Sequence, residues 1–75
     1  MVWHDCKTDP PKKNGCYIVC FYNYKKQLDW TTASYVTLTQ RFLVVNHQYQ
    51  EMWTFEDTYD EDPIKWAEVD LSEVE

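Results

Sequence analysis

Glycine is almost missing from this chain: Gly15 is the only one in 75 residues. Its scarcity removes the Gly-rich loops that cradle phosphates, the glycine elbow that presents a catalytic serine, and the sixth-position Gly of an EF-hand loop. Long apolar runs are missing too, with none near the ~20 residues that span a bilayer. The opening Met-Val-Trp-His-Asp-Cys has neither the basic nor the apolar region of a secretory signal. The expectation is a cytoplasmic protein with no membrane contact. Three cysteines are an odd number and complete no disulfide framework. Cys16 and Cys20, four residues apart on one expected strand, stand about 13 Å apart at ~3.3 Å per residue. That exceeds the ~7 Å between Cα atoms that a disulfide tolerates. Both read as small apolar strand residues.

Aromatic side chains are abundant: three Phe, six Tyr and four Trp. Each ring buries about 150–250 Å², which helps a chain near the lower size limit for a single core. One domain spanning 1–75 is expected, and disorder is not. Charge is unevenly placed. Residues 1–50 hold six Lys/Arg against three Asp/Glu, while residues 51–75 hold one Lys against ten Asp/Glu, giving −6 for the whole. Such asymmetry bears on partners and solubility.

The chain is organised around residues 15–24, Gly-Cys-Tyr-Ile-Val-Cys-Phe-Tyr-Asn-Tyr, its longest apolar run. The turn signal Asn14-Gly15 precedes it. Asp9-Pro10-Pro11 further upstream removes two amide donors and cannot lie in a central strand. Residues 16–24 read as a central strand covered on both faces, with Cys16, Ile18, Cys20, Tyr22 and Tyr24 on one and Tyr17, Val19 and Phe21 on the other. Residues 25–29 form a polar connection. Further strands are expected over 30–39, 41–45, 51–57 and 64–71, with an acidic loop at 56–63 and a fraying tail at 72–75. Trp3 is expected to fold back as a core plug. The fold class is therefore mainly β: a single small antiparallel sheet or barrel-like meander of four to five strands with little or no helix.

A series of landmarks runs along the chain: Trp3, Asp9-Pro10-Pro11, Gly15 before a Tyr-Ile-Val strand, Trp30 with Ala33-x-Tyr35, Arg41-Phe42, and Ile64-x-Trp66-Ala67-Glu68-Val69. This series resembles the short phage- and prophage-borne proteins grouped as domain of unknown function five-five-one. Their pattern opens with Trp and a Pro-rich turn, runs through a Val-Leu-Val-Tyr strand and closes with a Trp before Pro-Leu-Pro. Here Glu68-Val69-Asp70 stands in place of those prolines. The resemblance implies origin in a phage or other mobile element, and it brings no catalytic residues.

Several constellations carry candidate chemistry. His4, Cys6, Cys16 and Cys20 form a ligand set that zinc accepts, although the two strand cysteines are too far apart for Zn–S bonds of ~2.3 Å unless the strand is bulged. Asp57, Asp60, Glu61 and Asp62 offer oxygens to Ca²⁺ without the EF-hand order. A Cys–His dyad has no supporting motif. The carboxylates Glu56, Asp57, Asp60, Glu61 and Asp62 approach the charge density of a DNA backbone, one charge per ~1.7 Å, so a DNA-mimic inhibitor of a host nucleic-acid enzyme is one reading. Direct nucleic-acid binding is opposed by the net −6 charge. The leading expectation is a non-catalytic module without cofactor that binds a host or phage protein. Its contact surface would join the acidic loop to Trp53 and Tyr59, since Tyr and Trp are enriched in interface cores. A zinc-stabilised module is the opposing reading, and self-pairing through edge strands stays open.

Overall fold

The computed structural model of the chain describes residues 2–69. Six strands form one open antiparallel sheet: β1 (His4–Asp5), β2 (Gly15–Tyr22), β3 (Leu28–Val36), β4 (Arg41–Asn46), β5 (Glu51–Thr54) and β6 (Lys65–Glu68). A five-residue helix, α1 (Phe55–Tyr59), follows β5. The strand order is β1-β6-β2-β3-β4-β5. β2, β3, β4 and β5 thus form a meander, and β6 returns to the far side of β2 so that β2 is interior to the sheet.

Short-range chemistry explains the turns. Asn23 Oδ1 accepts from the Lys25 and Gln27 amides, and Asn46 Oδ1 from the Gln48 and Tyr49 amides, the side-chain mimicry of a turn that favours Asn there. Lys26, Gln40 and Gln50 close their turns in the left-handed region, at φ 61°, 56° and 55°. Gly15 does not have positive φ and begins β2. Asn14-Gly15 is therefore no hairpin turn. Instead Asn14 Oδ1 accepts from the Thr37 amide at 2.7 Å, tying the entry of β2 to the turn after β3.

Register assigns the faces. Val19 pairs with Thr31 and with Trp66, Tyr17 with Ala33, Tyr35 with Phe42, and Val44 with Trp53. Paired residues share a face, so these side chains point to one side. On that side lies the core of Val19, Phe21, Ala33, Tyr35, Phe42, Phe55 and Trp66. α1 covers it: Phe55 is 0% exposed, edge-on to Phe21 at 5.3 Å, and Tyr59 lies 4.6 Å from Phe21. Trp66 receives His4 as a stacked neighbour at 4.4 Å and Tyr17 edge-on at 5.1 Å. Its Nε1–H donates to the Asp9 carbonyl at 2.7 Å, pinning the Asp9-Pro10-Pro11 turn over the core.

Several expectations are corrected. β2 is interior in the sheet, but the core cluster lies on only one of its faces; on the other, Cys16 and Tyr22 are exposed and Ile18 and Cys20 are half-buried. Tyr24 lies beyond β2, in the turn. β3 starts at Leu28 and stops at Val36, because residues 37–40 turn the chain through a Gln40 N–H to Val36 carbonyl bond of 2.8 Å. The strand expected over 51–57 ends at Thr54, where the Thr54 Oγ1 accepts from the Asp57 amide and caps α1. Glu56 and Asp57 then suit the positive end of the helix. Trp3 is 39% exposed and lies outside the core cluster, so it is no core plug. The last strand ends at Glu68; the remainder of the expected strand and the tail at 72–75 lie outside the described residues.

Candidate functional site

The acidic segment is built on α1 and the loop that follows. Asp60 terminates α1 in a left-handed conformation (φ 72°), its amide bonded to the Glu56 carbonyl. The chain then crosses to β6, where the Ile64 amide donates to Cys20 O and Ile64 O accepts from the Cys6 amide. Arg41 reaches this segment from the start of β4. A single guanidinium nitrogen, Nη2, donates to Glu56 at 3.0 Å and to Asp62 at 3.1 Å. Hydrogen bonds to Asp62 and then Glu56 push the Arg41 pKa above its ordinary value. Two of the five carboxylates proposed for mimicry are therefore engaged by a cation, and Asp57, Asp60 and Glu61 have no ion-pair partner among the described residues. The expected contact aromatics also have other duties. Tyr59 is half-buried against Phe21 and Phe55, and Trp53 stacks with Tyr49 across the β4–β5 turn at 5.3 Å.

The zinc set does not assemble. Among the described residues no group of three or more His, Cys, Asp or Glu side chains is placed to hold a metal ion. His4 is held by Trp66 and by Asp9, whose Oδ2 lies 2.9 Å from Nδ1. Cys16 is exposed and on the face away from the core cluster, whereas Cys6 packs against the core. Burial, followed by the charge of Asp5, pushes the Cys6 thiol up to about 12, and burial also raises Cys20. Both therefore stay protonated at neutral pH, against the needs of a nucleophile or a metal ligand. The Ca²⁺ arrangement in the acidic loop falls under the same geometric test.

The sequence reading missed the most open part of the sheet. β3 pairs with β2 from Leu28 to Tyr35, yet with β4 only through Ser34, Tyr35 and Val36. Along residues 28–33 the side of β3 away from β2 has no strand partner among the described residues. Backbone direction follows from two bonds, the first from the Asn23 amide to Gln27 O at 3.0 Å, which turns odd-numbered residues towards β3. Cys20 O accepts from Ile64, so even-numbered residues of β2 face β6 and odd-numbered ones face β3. The pairs Val19–Thr31 and Tyr17–Ala33 then exchange backbone bonds, and Trp30 and Thr32 turn their amides and carbonyls outward. The Trp30 amide accordingly bonds to the Asp29 carboxylate at 2.8 Å, and Thr32 O takes only a 3.5 Å bond from Thr31 Oγ1. Beside this edge the Trp30 side chain is 67% exposed and Leu28 61%. They share the sheet face away from the core cluster with Ile18, Cys20 and Tyr22, to which the register joins them.

No helix among the described residues is long and apolar enough to cross a membrane. Comparison with family models, with curated proteins and with solved structures gives no match to the chain.

Proposed function

We propose that the protein is a non-catalytic binding module that takes up an extended segment of another protein along the free edge of β3. The observation that carries this is the unpartnered edge at residues 28–33, with outward amides at Trp30 and Thr32. An added strand gains backbone hydrogen bonds from the edge and specificity from alternate side chains. Trp30 and Leu28 supply an apolar platform for every second residue of that segment, and Trp is the residue type most often at interface hot spots. Asp29 favours a basic residue in the arriving segment. The net −6 on each copy opposes pairing of this edge with a second copy. Two raised thiols and the missing glycine loops support a role without catalysis. A bacterial cytoplasm, entered from a phage or similar element, is the setting that the family resemblance supports.

The acidic loop takes a lesser part than its charge suggested, since Arg41 occupies two of its carboxylates. Capture from a bacterial lysate with three baits separates the readings. Wild type and a bait with Asp57, Asp60 and Glu61 changed to Asn or Gln should retain the same protein; a Thr32→Pro, Trp30→Ser bait should lose it. Loss with the neutralised bait alone, together with release by DNA, would transfer the role to the acidic loop as a DNA mimic. Retention by the edge variant would refute strand addition.

A further inference from the structure

A second feature lies past the end of β2, where Tyr22 meets Tyr35 and Phe42 of the core face. Between β1, the start of β4 and the loop at 61–64 is a cleft of about 730 Å³, within the ~300–1,000 Å³ usual for sites that take small ligands or single side chains. Tyr35 is part of its lining and is only 3% exposed. Among the described residues its hydroxyl forms no hydrogen bond, yet no buried polar side-chain atom is without a partner. The oxygen is therefore not a sealed orphan, and Tyr35 belongs to the cleft wall. Burial raises the Tyr35 pKa, so the group stays a neutral phenol able to accept a bond.

The surroundings determine the sign of a guest. Asp5, Glu61 and Asp62 contribute negative charge, Lys7 and Arg41 positive. Arg41 is already shared between Asp62 and Glu56, another carboxylate just outside the lining. The local balance is negative. Phe42 and Tyr22 add aromatic side chains to the walls, and the faces of such rings attract cations.

We propose that this cleft binds an organic cation, a guanidinium or primary ammonium on an apolar stem, with the Tyr35 hydroxyl accepting at the floor, Glu61 at the rim, and Phe42 and Tyr22 against the stem. The same chemistry is offered by an Arg or Lys side chain of a protein and by a free polyamine. Nothing in this assignment depends on strand addition at β3.

Amide shifts of the ¹⁵N-labelled full chain test it with four probes: N-acetyl-arginine methylamide, spermidine, N-acetyl-glutamate methylamide and N-acetyl-norvaline methylamide. The cations should give saturable shifts at Gln40, Phe42 and Ile64 with a Kd on the order of 1 mM. Norvaline should bind at least about fivefold more weakly, and glutamate should not saturate. Tighter binding of the capped arginine assigns the cation to a protein side chain, and tighter binding of spermidine to a free amine; either supports the cleft. Tyr35→Phe should weaken the cation about tenfold while shift dispersion stays native. Glu61→Gln, on the exposed loop, should weaken it about threefold and decides the matter if Tyr35→Phe disturbs the fold. Equal binding of norvaline or glutamate, shifts spread unsaturably over the acidic surface, or full affinity in the folded variants would overturn the proposal.

Discussion

Phe55→Ala removes the ring that closes the core face. Phe55 is fully buried, lies edge-on to Phe21 at 5.3 Å and 5.9 Å from Tyr59, and begins the helix that covers the sheet. Phe→Ala at a sealed site costs about 3–5 kcal/mol in transfer and cavity terms, with the aromatic pairs supplying ~0.5–1.5 kcal/mol of it. At roughly 0.05–0.15 kcal/mol per residue, a chain of this length has about 4–11 kcal/mol in total. The variant therefore forfeits about half its stability. With an m-value of ~1 kcal/mol/M in urea, the midpoint should fall by about 3–5 M, followed by tryptophan fluorescence and far-UV circular dichroism together. A cost below about 1 kcal/mol would refute the reasoning, because α1 could not then be what covers the sheet.

Trp66→Phe keeps a ring but removes the donor to Asp9 O; urea denaturation should show a loss of about 1–3 kcal/mol, the cost of an orphaned part-buried acceptor. Trp30→Ser, at an exposed position, should change stability by no more than about 0.5 kcal/mol, and a larger cost would mean that Trp30 is packed. At pH 8 iodoacetamide followed by mass spectrometry should label Cys16 first and Cys6 last, since a thiol with a pKa near 12 is only about one part in ten thousand thiolate there. Because that folded value lies above the ordinary 9.0, Cys6 should also make the protein lose stability as pH rises from 9 towards 12, and Cys6→Ala should flatten that limb. Asp5 has the opposite sign: the Thr8 and Lys7 amides hold its carboxyl below the usual range, so its contribution is present above pH ~4 and is lost as acid protonates it. Asp5→Asn should remove that part of the acid limb in a pH series of melting curves.

Periodicity made the central strands legible. Tyr17, Val19 and Phe21 alternate cleanly with Cys16, Ile18 and Cys20, and the structure separates them onto two faces. Alternation cannot say how far a second face is covered: the apolar character of Ile18, Cys20 and Tyr22 suggested full cover, whereas Ile18 and Cys20 are half-buried and Tyr22 is exposed. β1 is two residues long, too short for any period, and is recruited by pairing with Trp66 and Lys65. Phe55 and Tyr59 stand four apart, a helical spacing hidden by the β-like run of residues 51–54. The free edge of β3 depends on where β4 diverges, at Leu43, which is a property of pairing and not of either strand. Charge led attention to the acidic loop because the Arg41 bridge, across fifteen and twenty-one residues, leaves no local signal.

Amide hydrogen exchange along β3 in dilute protein tests the open edge most directly. Thr31 and Ala33 face β2 and should exchange slowly, at rates set by opening of the sheet. Thr32 sits between them with its amide outward, and should exchange within about an order of magnitude of an unstructured amide. A Thr32 amide as slow as that of Ala33 at every protein concentration would mean that something already covers this edge, and the binding surface would have to be sought elsewhere.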